Sequence, residues 1–309
     1  EKPAATLKFG SAVYVGSAAA TDASADKNGE GTVDVTVAAV SVDADGKIVA
    51  CALDTMQSAV KYTTDGKAIG NPEAKTKREL GFDYNMVKSG KEQAIDGGDV
   101  KHEWFEQVDF LQKIIVGKTL DQVKALVVNN YRGTDEVINA GCTIGINDLI
   151  LAVEKAYNAA AESTVTAEDT LKVSAYTVQD IADASADKDG SNKVSVYTFA
   201  AAVGADSKIV AAASDCVEVD FTFDTTGKSK FDATKEIKSK KEQGSNYGMT
   251  AIGKQEWYIQ AAAFDSQCIG KTGAEIVGLM GNDGKGVESV QTAGCTIYVT
   301  GFVKAASKI

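Results

Sequence analysis

Hydrophobic and polar residues alternate at period two in one part of the chain and recur at helical spacing in the next. Residues 33–37 (VDVTV) alternate, and together with the turn at 43–46 (DADG) and the apolar segment 47–53 they predict a β-hairpin. Apolar residues then recur at helical spacing in three segments, 103–117, 120–129 and 146–157. Strands followed by helices, with no alternating βαβ units, predict an α+β fold built on an antiparallel sheet.

The same succession of patterns occurs again in the second half of the chain. Strands are predicted at 194–200, 208–213 and 217–223. The segment ASADKNG at 23–29 is nearly repeated at 184–190, whereas the GKT at 117–119 and the AGCTI at 140–144 are repeated at 270–272 and 293–297. The two copies of the later motifs are closer together than those of the first. This change of offset indicates a longer loop in the first half, which we place at 87–100.

An internal repeat of this length predicts two similar domains. We expect the first to span residues 1–160 and the second residues 168–309. The stretch between them, 158–169 (NAAAESTVTAED), consists of small and polar residues and is typical of a short linker.

Composition narrows the choice of partners. Hydrophobic residues make up 44% of the chain and charged residues 24%, which is typical of a globular protein. A net charge of -11 argues against nucleic acid and anionic lipid, because both require a basic surface. No apolar run of about 18 residues occurs, so we expect no membrane-spanning helix. The chain begins at Glu1 without Met, and we expect a mature or trimmed form.

Histidine and cysteine usage argues against several kinds of active site. The chain has one histidine, His102, and Gln255 occupies the equivalent position of the repeat, so the two halves do not share a histidine-dependent mechanism. Five cysteines without CxxC spacing do not predict zinc, and we expect no metal site. Cys216 and Cys268 either form a disulfide or are small buried hydrophobic residues.

The repeated pentapeptide AGCTI, at 140–144 and 293–297, is the strongest candidate for a functional site. Each copy precedes an apolar segment, and its small residues leave the backbone bare around one hydroxyl, where an anion could bind helical N–H groups. Two interpretations remain open for Thr143 and Thr296. Each is either the N-cap of a helix or a hydroxyl that carries a covalent modification.

Other residues recur in register with the pentapeptide. They are a Tyr-x-Met motif (Tyr84, Met86, Tyr247, Met249), a Glu-Trp pair (Glu103, Trp104, Glu256, Trp257) and the lysine of each GKT (Lys118, Lys271). The tyrosines and methionines either pack in the core or form a wall for a flat aromatic ligand. Core packing is favoured for the tryptophans, whereas the lysines either face a phosphate or end a helix.

The order of these motifs resembles that of the FMN-binding domain family. A lysine-rich segment, EQGSNYGM, GKQEW, GKT and GCTI follow one another, and the resemblance covers both repeats. It is closest to the tandem-domain, surface-anchored flavoproteins that Gram-positive bacteria use in flavin-based extracellular electron transfer. The resemblance implies two homologous FMN-binding domains, each an antiparallel sheet packed with helices.

In that family, a magnesium-dependent flavin transferase moves FMN from FAD onto the threonine of a Ser/Thr-Gly-Ala-Thr motif. The resemblance implies two covalent FMN groups, attached to Thr143 and Thr296 through phosphoester bonds. Cofactor contacts are implied for Gly141, Cys142, Gly294 and Cys295 and for the recurring residues above, and transferase recognition is implied for Asp135, Ala140 and Ala293. This chain departs from the motif by having Ala first and Cys third, and by having Glu288 at the position equivalent to Asp135.

The function implied by the resemblance is electron relay, with no reaction catalysed beyond electron transfer. The electrons would come from a membrane donor, a quinone/NADH dehydrogenase system, and pass to extracellular acceptors such as ferric iron or soluble flavins. We expect a cell-surface monomer held by a lipid anchor on a segment preceding Glu1. The alternative is a surface ligand-binding or adhesion module with two structural repeats and no cofactor.

Overall fold

A computed structural model describes residues 5–71, 74–89 and 101–309. Most of the predicted loop at 87–100 lies outside these residues. The first half contains β1 (Lys8–Thr21), β2 (Gly29–Val42), β3 (Ile48–Tyr62), β4 (Ala68–Ile69), α1 (Lys77–Leu80), α2 (Met86–Ser89), α3 (Trp104–Ile115), α4 (Leu120–Lys124), β5 (Val127–Val128), β6 (Arg132–Gly133), α5 (Asp135–Asn139) and α6 (Asn147–Asn158).

After one added strand, the second half repeats the three long strands of the first half and five of its helices, α1, α3, α4, α5 and α6. It contains β7 (Ala161–Glu162), β8 (Thr170–Ala182), β9 (Gly190–Val203), β10 (Ile209–Phe223), α7 (Lys240–Gln243), α8 (Trp257–Cys268), α9 (Gly273–Ile276), α10 (Glu288–Thr292) and α11 (Thr300–Ala306). Short 3-10 turns lie at Gly81–Tyr84, Gly244–Tyr247, Met249–Ile252 and Val277–Leu279. Across the described residues, no helix is both long and apolar enough to cross a membrane.

Antiparallel sheets packed against helices confirm the fold class predicted from the sequence. The first sheet has the strand order β4-β3-β2-β1-β7 and the second has the order β10-β9-β8. In the first half, α6 packs on β1 and β2 and α3 on β3; in the second, α11 packs on β8 and β9 and α8 on β10. The sheet faces that the helices leave free pack against each other.

The burial pattern of β2 explains why the sequence indicated only part of this strand. Its first residues alternate between buried and half-buried, but every residue from Val35 to Val42 is buried. Ala38 and Val40 face the helices, whereas Val35 and Val37 face the second sheet. Burial on both sides removes the two-residue alternation.

Other sequence-based boundaries were wrong for similarly local reasons. The sequence did not indicate β1, because its Ala, Gly and Ser residues give no clear alternation. The helix predicted over 120–129 ends at Lys124, and Asn129 and Asn130 adopt positive φ in the turn between β5 and β6. In the second half, the predicted strands at 208–213 and 217–223 form one continuous strand, β10.

The two halves make the same contacts to each other in both directions. The amide of Ala23 donates to the carbonyl of Gly227, and the amide of Ala184, which occupies the equivalent position of the repeat, donates to Gly66; both distances are 2.8 Å. The rings of Tyr62 and Phe223, which are also equivalent in the repeat, stack at 4.4 Å between centroids. Such reciprocal contacts are the mark of a two-fold arrangement.

The predicted linker is part of the folded structure. Residues Ala161–Glu162 add β7 to the edge of the first sheet by pairing with β1. The Leu7 amide donates to the carbonyl of Val165 at 2.7 Å, and the Ser163 hydroxyl donates to the carbonyl of Leu7 at 2.6 Å. This segment therefore holds β1 in place while connecting the halves.

Candidate functional site

Each candidate threonine lies in a turn that begins at a glycine with a left-handed backbone. Gly141 has φ of +106° and Gly294 has φ of +111°, a conformation that side-chain-bearing residues rarely adopt. In both copies the glycine amide and the following cysteine amide bond back to the preceding short helix, Cys142 to Val137 and Cys295 to Val290, at 3.1 Å. The two pentapeptides thus form the same turn.

The cysteines anchor these turns in the core. Cys142 and Cys295 are fully buried, and burial raises the pKa of Cys142 to about 12 and that of Cys295 to about 11. Their thiols therefore stay protonated at neutral pH. The structure places both side chains in the helix-facing cores, so a surface ligand would meet only their backbone.

A buried glutamine holds the threonine turn in the first half. Gln107 is fully buried on α3, and its Oε1 accepts from the Thr143 amide at 2.7 Å, the Thr143 hydroxyl at 3.2 Å and the Ile144 amide at 3.1 Å. Its Nε2 donates to the carbonyl of His102 at 2.8 Å. One side chain thereby satisfies three donors of the turn.

The second half contains the same device. Gln260, fully buried on α8, accepts from the Thr296 amide at 2.9 Å and from the Thr296 hydroxyl at 3.0 Å, and it donates to the carbonyl of Gln255 at 2.8 Å. Neither glutamine is among the residues predicted from the sequence. Each nevertheless follows a repeated tryptophan by the same spacing, on the apolar face of its helix, where a polar side chain is unusual.

The interpretation of the threonines as N-caps is wrong. Helix α6 has Ile146 as its N-cap residue and α11 has Val299, both beyond the threonine, and neither helix start has a side-chain cap. The helix begins later because the Ile146 amide first bonds the carbonyl of Tyr131 at 2.9 Å. Thr296 is exposed and Thr143 half-buried, and both hydroxyls donate to a glutamine instead of accepting from a helical amide.

The repeated glutamates connect the Tyr-x-Met turns to the helices that carry the glutamines. Glu103, buried at the start of α3, accepts from the amides of Met86 at 2.8 Å and Val87 at 3.1 Å. Glu256 accepts from the amides of Met249 and Thr250 and from the Thr250 hydroxyl at 2.8 Å. The Thr250 hydroxyl and these amides hold the pKa of Glu256 below its ordinary value. Both glutamate carboxylates therefore accept hydrogen bonds from backbone amides of the Tyr-x-Met turns.

In the first half, the aromatic residues and the methionine of the predicted site belong to the core. Tyr84, Met86 and Trp104 are buried, and the Lys77 ammonium lies 5.2 Å from the Tyr84 ring centre and 5.6 Å from that of Trp104. The Met86 sulfur lies 3.3 Å from Nε2 of Gln107. Met86 therefore contacts the glutamine that holds the threonine turn, whereas Tyr84 and Trp104 pack beside Lys77.

The matching group in the second half is more open. Trp257 is buried, but Tyr247 and Met249 are half-buried. The buried Lys240 lies 5.0 Å from the Tyr247 ring centre and 5.7 Å from that of Trp257. Tyr247 lines a cleft of about 630 Å³ together with Glu218 and several lysines.

Glu218 is a charged residue of this cleft that the sequence did not indicate. Its Oε1 lies 3.2 Å from the Lys240 ammonium and 2.9 Å from that of Lys193, and its Oε2 accepts from the Tyr247 hydroxyl at 3.2 Å. Burial opposes its charge, but the two lysines lower its pKa below the ordinary value. The equivalent position in the first half is Gln57.

The GKT lysines bond the first residues of strands, and the residues flanking each pentapeptide lie at the ends of short helices. The carbonyls of Lys118 and Lys271 accept from the first amides of β3 and β10, Ile48 and Ile209, at 2.9 Å. The Lys118 ammonium pairs with Glu136 of α5 at 3.1 Å. Exposed positions at the ends of α5 and α10 are occupied by Asp135, Ala140 and Ala293.

Cys216 and Cys268 are free, buried thiols, so the disulfide that the sequence left open is not formed in this structure. Within the described part of the chain, no group of three or more His, Cys, Asp and Glu side chains could hold a metal ion.

No family model, curated protein or solved structure matches this chain.

Proposed function

We propose that this protein is an extracellular electron-transfer flavoprotein with two homologous FMN-binding domains, residues 1–160 and 168–309. FMN is joined by a phosphoester bond to Thr143 in the first and to Thr296 in the second. The observation that carries the proposal is that both halves place the same threonine in the same left-handed glycine turn on the same buried glutamine. The cofactor, when bound, supplies the redox chemistry.

The hydroxyl geometry is compatible with esterification. A phosphoester on Oγ1 removes the hydroxyl proton and with it one hydrogen bond to Gln107 or Gln260. Each glutamine still accepts from the threonine amide, and Gln107 also keeps the Ile144 amide. The turn therefore loses the bond from the threonine hydroxyl and keeps its bonds from the backbone amides.

Covalent attachment suits a carrier at the cell surface, because a reversibly bound cofactor would be lost by dilution there. In this proposal a separate flavin transferase attaches both groups. A membrane quinone/NADH dehydrogenase system donates the electrons, and ferric iron or soluble flavins accept them. The protein contributes attachment, orientation and electrostatics and catalyses no further reaction.

The test is an intact mass and a visible spectrum of the protein co-produced with a flavin transferase. We expect two FMN-minus-water increments and flavin absorbance. Thr143→Val and Thr296→Val should each remove one increment, whereas Thr292→Val, which changes an exposed threonine at the end of α10, should remove none. A colourless protein without increments would contradict the proposal and favour a surface binding or adhesion module.

A further inference from the structure

A tyrosine ring lies beside Thr143. Tyr131, in the turn between β5 and β6, packs against the backbone of Gly145, close to the threonine in sequence, so tightly that a Cβ on Gly145 would overlap the ring. The Tyr131 carbonyl also accepts the Ile146 amide at 2.9 Å. The backbone between Thr143 and Gly145 spans at most about 7 Å, so this ring is a near neighbour of the threonine.

A tyrosine ring also lies beside Thr296, but it comes from the other side of the same contact. Tyr298 occupies the position equivalent to Gly145, and Gly284 occupies the position equivalent to Tyr131. The Gly284 carbonyl accepts the Val299 amide at 2.9 Å, as the Tyr131 carbonyl accepts that of Ile146. A Cβ on Gly284 would lie 3.4 Å from the Tyr298 ring. In the second half the glycine and the tyrosine have exchanged positions, so a tyrosine ring is again close in sequence to the threonine or to a residue that it packs on.

Burial of apolar surface does not explain why both halves have a tyrosine ring at this contact. Tyr131 is 58% exposed and Tyr298 is 65% exposed, so neither ring buries much apolar surface. A purely structural contact would keep a side chain at one position of the repeat. The feature common to both halves is instead an exposed tyrosine ring at the second residue after the threonine, provided by Tyr298 itself and by Tyr131 packed on Gly145.

A basic residue occupies the same repeat position in both halves. Arg132 and Lys285 occupy equivalent positions, directly after Tyr131 and Gly284. Lys285 pairs with the backbone of Tyr298, and its ammonium lies 5.9 Å from the ring centre. The Arg132 guanidinium lies 3.8 Å from the Asp135 carboxylate through Nη2, whereas its buried Nε has no hydrogen-bond acceptor among the described residues. An anion and a flat ring tethered to the threonine would thus find complementary groups in both halves.

We propose that Tyr131 and Tyr298 are the stacking faces for the isoalloxazine ring carried on the neighbouring threonine, with Arg132 and Lys285 beside its phosphodiester. This inference rests on the proposed function, because it requires a flavin on each threonine. Tyrosine is electron-rich and flavin electron-poor, so offset stacking is favourable and quenches flavin emission. The tyrosines position the ring and take no part in the attachment reaction.

The test uses proteins that carry a single flavin, made with a flavin transferase. Thr296→Val leaves the flavin on Thr143, and Thr143→Val leaves the flavin on Thr296. In each background we would measure the intact mass and the flavin fluorescence yield, with the adjacent tyrosine replaced by Ala or by Trp. The matched control replaces the tyrosine of the other half.

We expect Tyr131→Ala to raise the emission of the Thr143 flavin severalfold and Tyr298→Ala to do the same for the Thr296 flavin. Trp at either position should restore quenching, and the tyrosine of the opposite half should have no effect. Unchanged emission with the flavin attached would overturn the stacking role alone. Loss of the mass increment in a Tyr→Ala variant would also overturn it, because the ring would then serve transferase recognition. No increment in the parent proteins would remove both proposals.

Discussion

The turns around Thr143 and Thr296 share a backbone conformation and differ in the side chains that pack against the glycine before each threonine. A Cβ on Gly141 would lie 2.8 Å from the Phe110 ring, and the His102 ring packs edge-on against Phe110 at 5.1 Å between centroids. The position equivalent to Phe110 in the second half is Ala263. Loss of this aromatic wall goes together with the greater exposure of Thr296.

The comparison separates two kinds of residue at the candidate site. The positive-φ glycine, the buried cysteine and the buried glutamine are the same in both halves and hold the backbone of the threonine turn. The buried glutamate is also the same, and it holds the neighbouring Tyr-x-Met turn. The aromatic wall, the lysine–glutamate cluster around Glu218 and the position of the exposed tyrosine differ. The shared residues fix the conformation of the turns, whereas the differing residues change the side chains around them.

The largest expected effect comes from removing the buried glutamines. Gln107→Leu leaves two amides and a hydroxyl of the first turn without their acceptor, and we expect a loss of about 3 to 5 kcal/mol in the free energy of unfolding. Gln260→Leu removes one bond fewer and should cost about 2 to 3 kcal/mol. Urea denaturation measures both. Gln267→Leu, which changes a half-buried glutamine of α8, is the control. Equal losses from the two Leu variants would argue against the difference between the turns.

A pH effect of nearly this size should be common to both halves. Burial raises the pKa of Asp54 and of its counterpart Asp215 to about 6, from 3.8. Between about pH 4 and pH 6 the folded state therefore binds more protons than the unfolded state, so the free energy of unfolding falls as pH rises through this window, by about 3 kcal/mol for each group.

Asn at either position keeps an oxygen for the backbone amides that the Asp accepts from, at 2.7 Å from Thr55 and from Cys216. Denaturation curves at several pH values should show that Asp54→Asn and Asp215→Asn each lessen the fall between pH 4 and pH 6 by the same amount. Asp265, another buried carboxyl with a raised pKa, should preserve part of the pH dependence of the free energy of unfolding in both variants. A variant with the pH dependence of the unchanged protein would show that the carboxylate is charged throughout.

Substitution of the turn glycines should distinguish the halves. Gly141→Ala requires an unfavourable φ and also a contact with Phe110, so we expect it to cost about 3 kcal/mol, whereas Gly294→Ala, whose nearest neighbour would be 3.4 Å away, should cost about 1 to 2 kcal/mol. Thermal or urea unfolding measures the difference. In a Phe110→Ala background the two costs should become equal, and a persistent gap would mean that the ring is not its cause.

The smallest expected effect concerns the rate of flavin attachment. Removing the wall with Phe110→Ala should speed modification of Thr143 severalfold, and Ala263→Phe should slow that of Thr296, because the transferase must reach the hydroxyl. Time-resolved intact mass after addition of the transferase and FAD measures both rates. Phe105→Ala, which changes another half-buried phenylalanine of α3, is the control. Unchanged rates would place the limiting contact elsewhere.

Sequence patterns predicted parts of β2, β3, β9 and β10 and the helices α3 and α6, because apolar residues recur there at the period of the element. The same logic located the threonine turns, since the pentapeptide recurs with its neighbours. It left the N-cap interpretation open, because the start of α6 depends on a hydrogen bond to Tyr131, which precedes α5 in the chain. The buried glutamines were missed although their spacing from Trp104 and Trp257 is constant, because their role depends on which face of the helix meets the turn.

The way in which the two halves pack together could not be predicted from the sequence, for a different reason. Besides the apolar sheet faces, the halves are joined by polar turns. Asp22 accepts the Ser229 amide at 2.8 Å, and Asp183 accepts the Ala68 amide at the same distance. Nothing in such a turn distinguishes a solvent-exposed carboxylate from one that bonds a backbone amide of the other half.

The reciprocal hydrogen bonds from Ala23 to Gly227 and from Ala184 to Gly66 have a consequence for assembly. An interface of this kind is self-complementary, because each side offers both the donor and the acceptor that the other side needs. A single half would carry both sides of the contact and could form it with a copy of itself, as a homodimer does. Joining the halves in one chain makes that encounter intramolecular, so the pairing no longer depends on protein concentration.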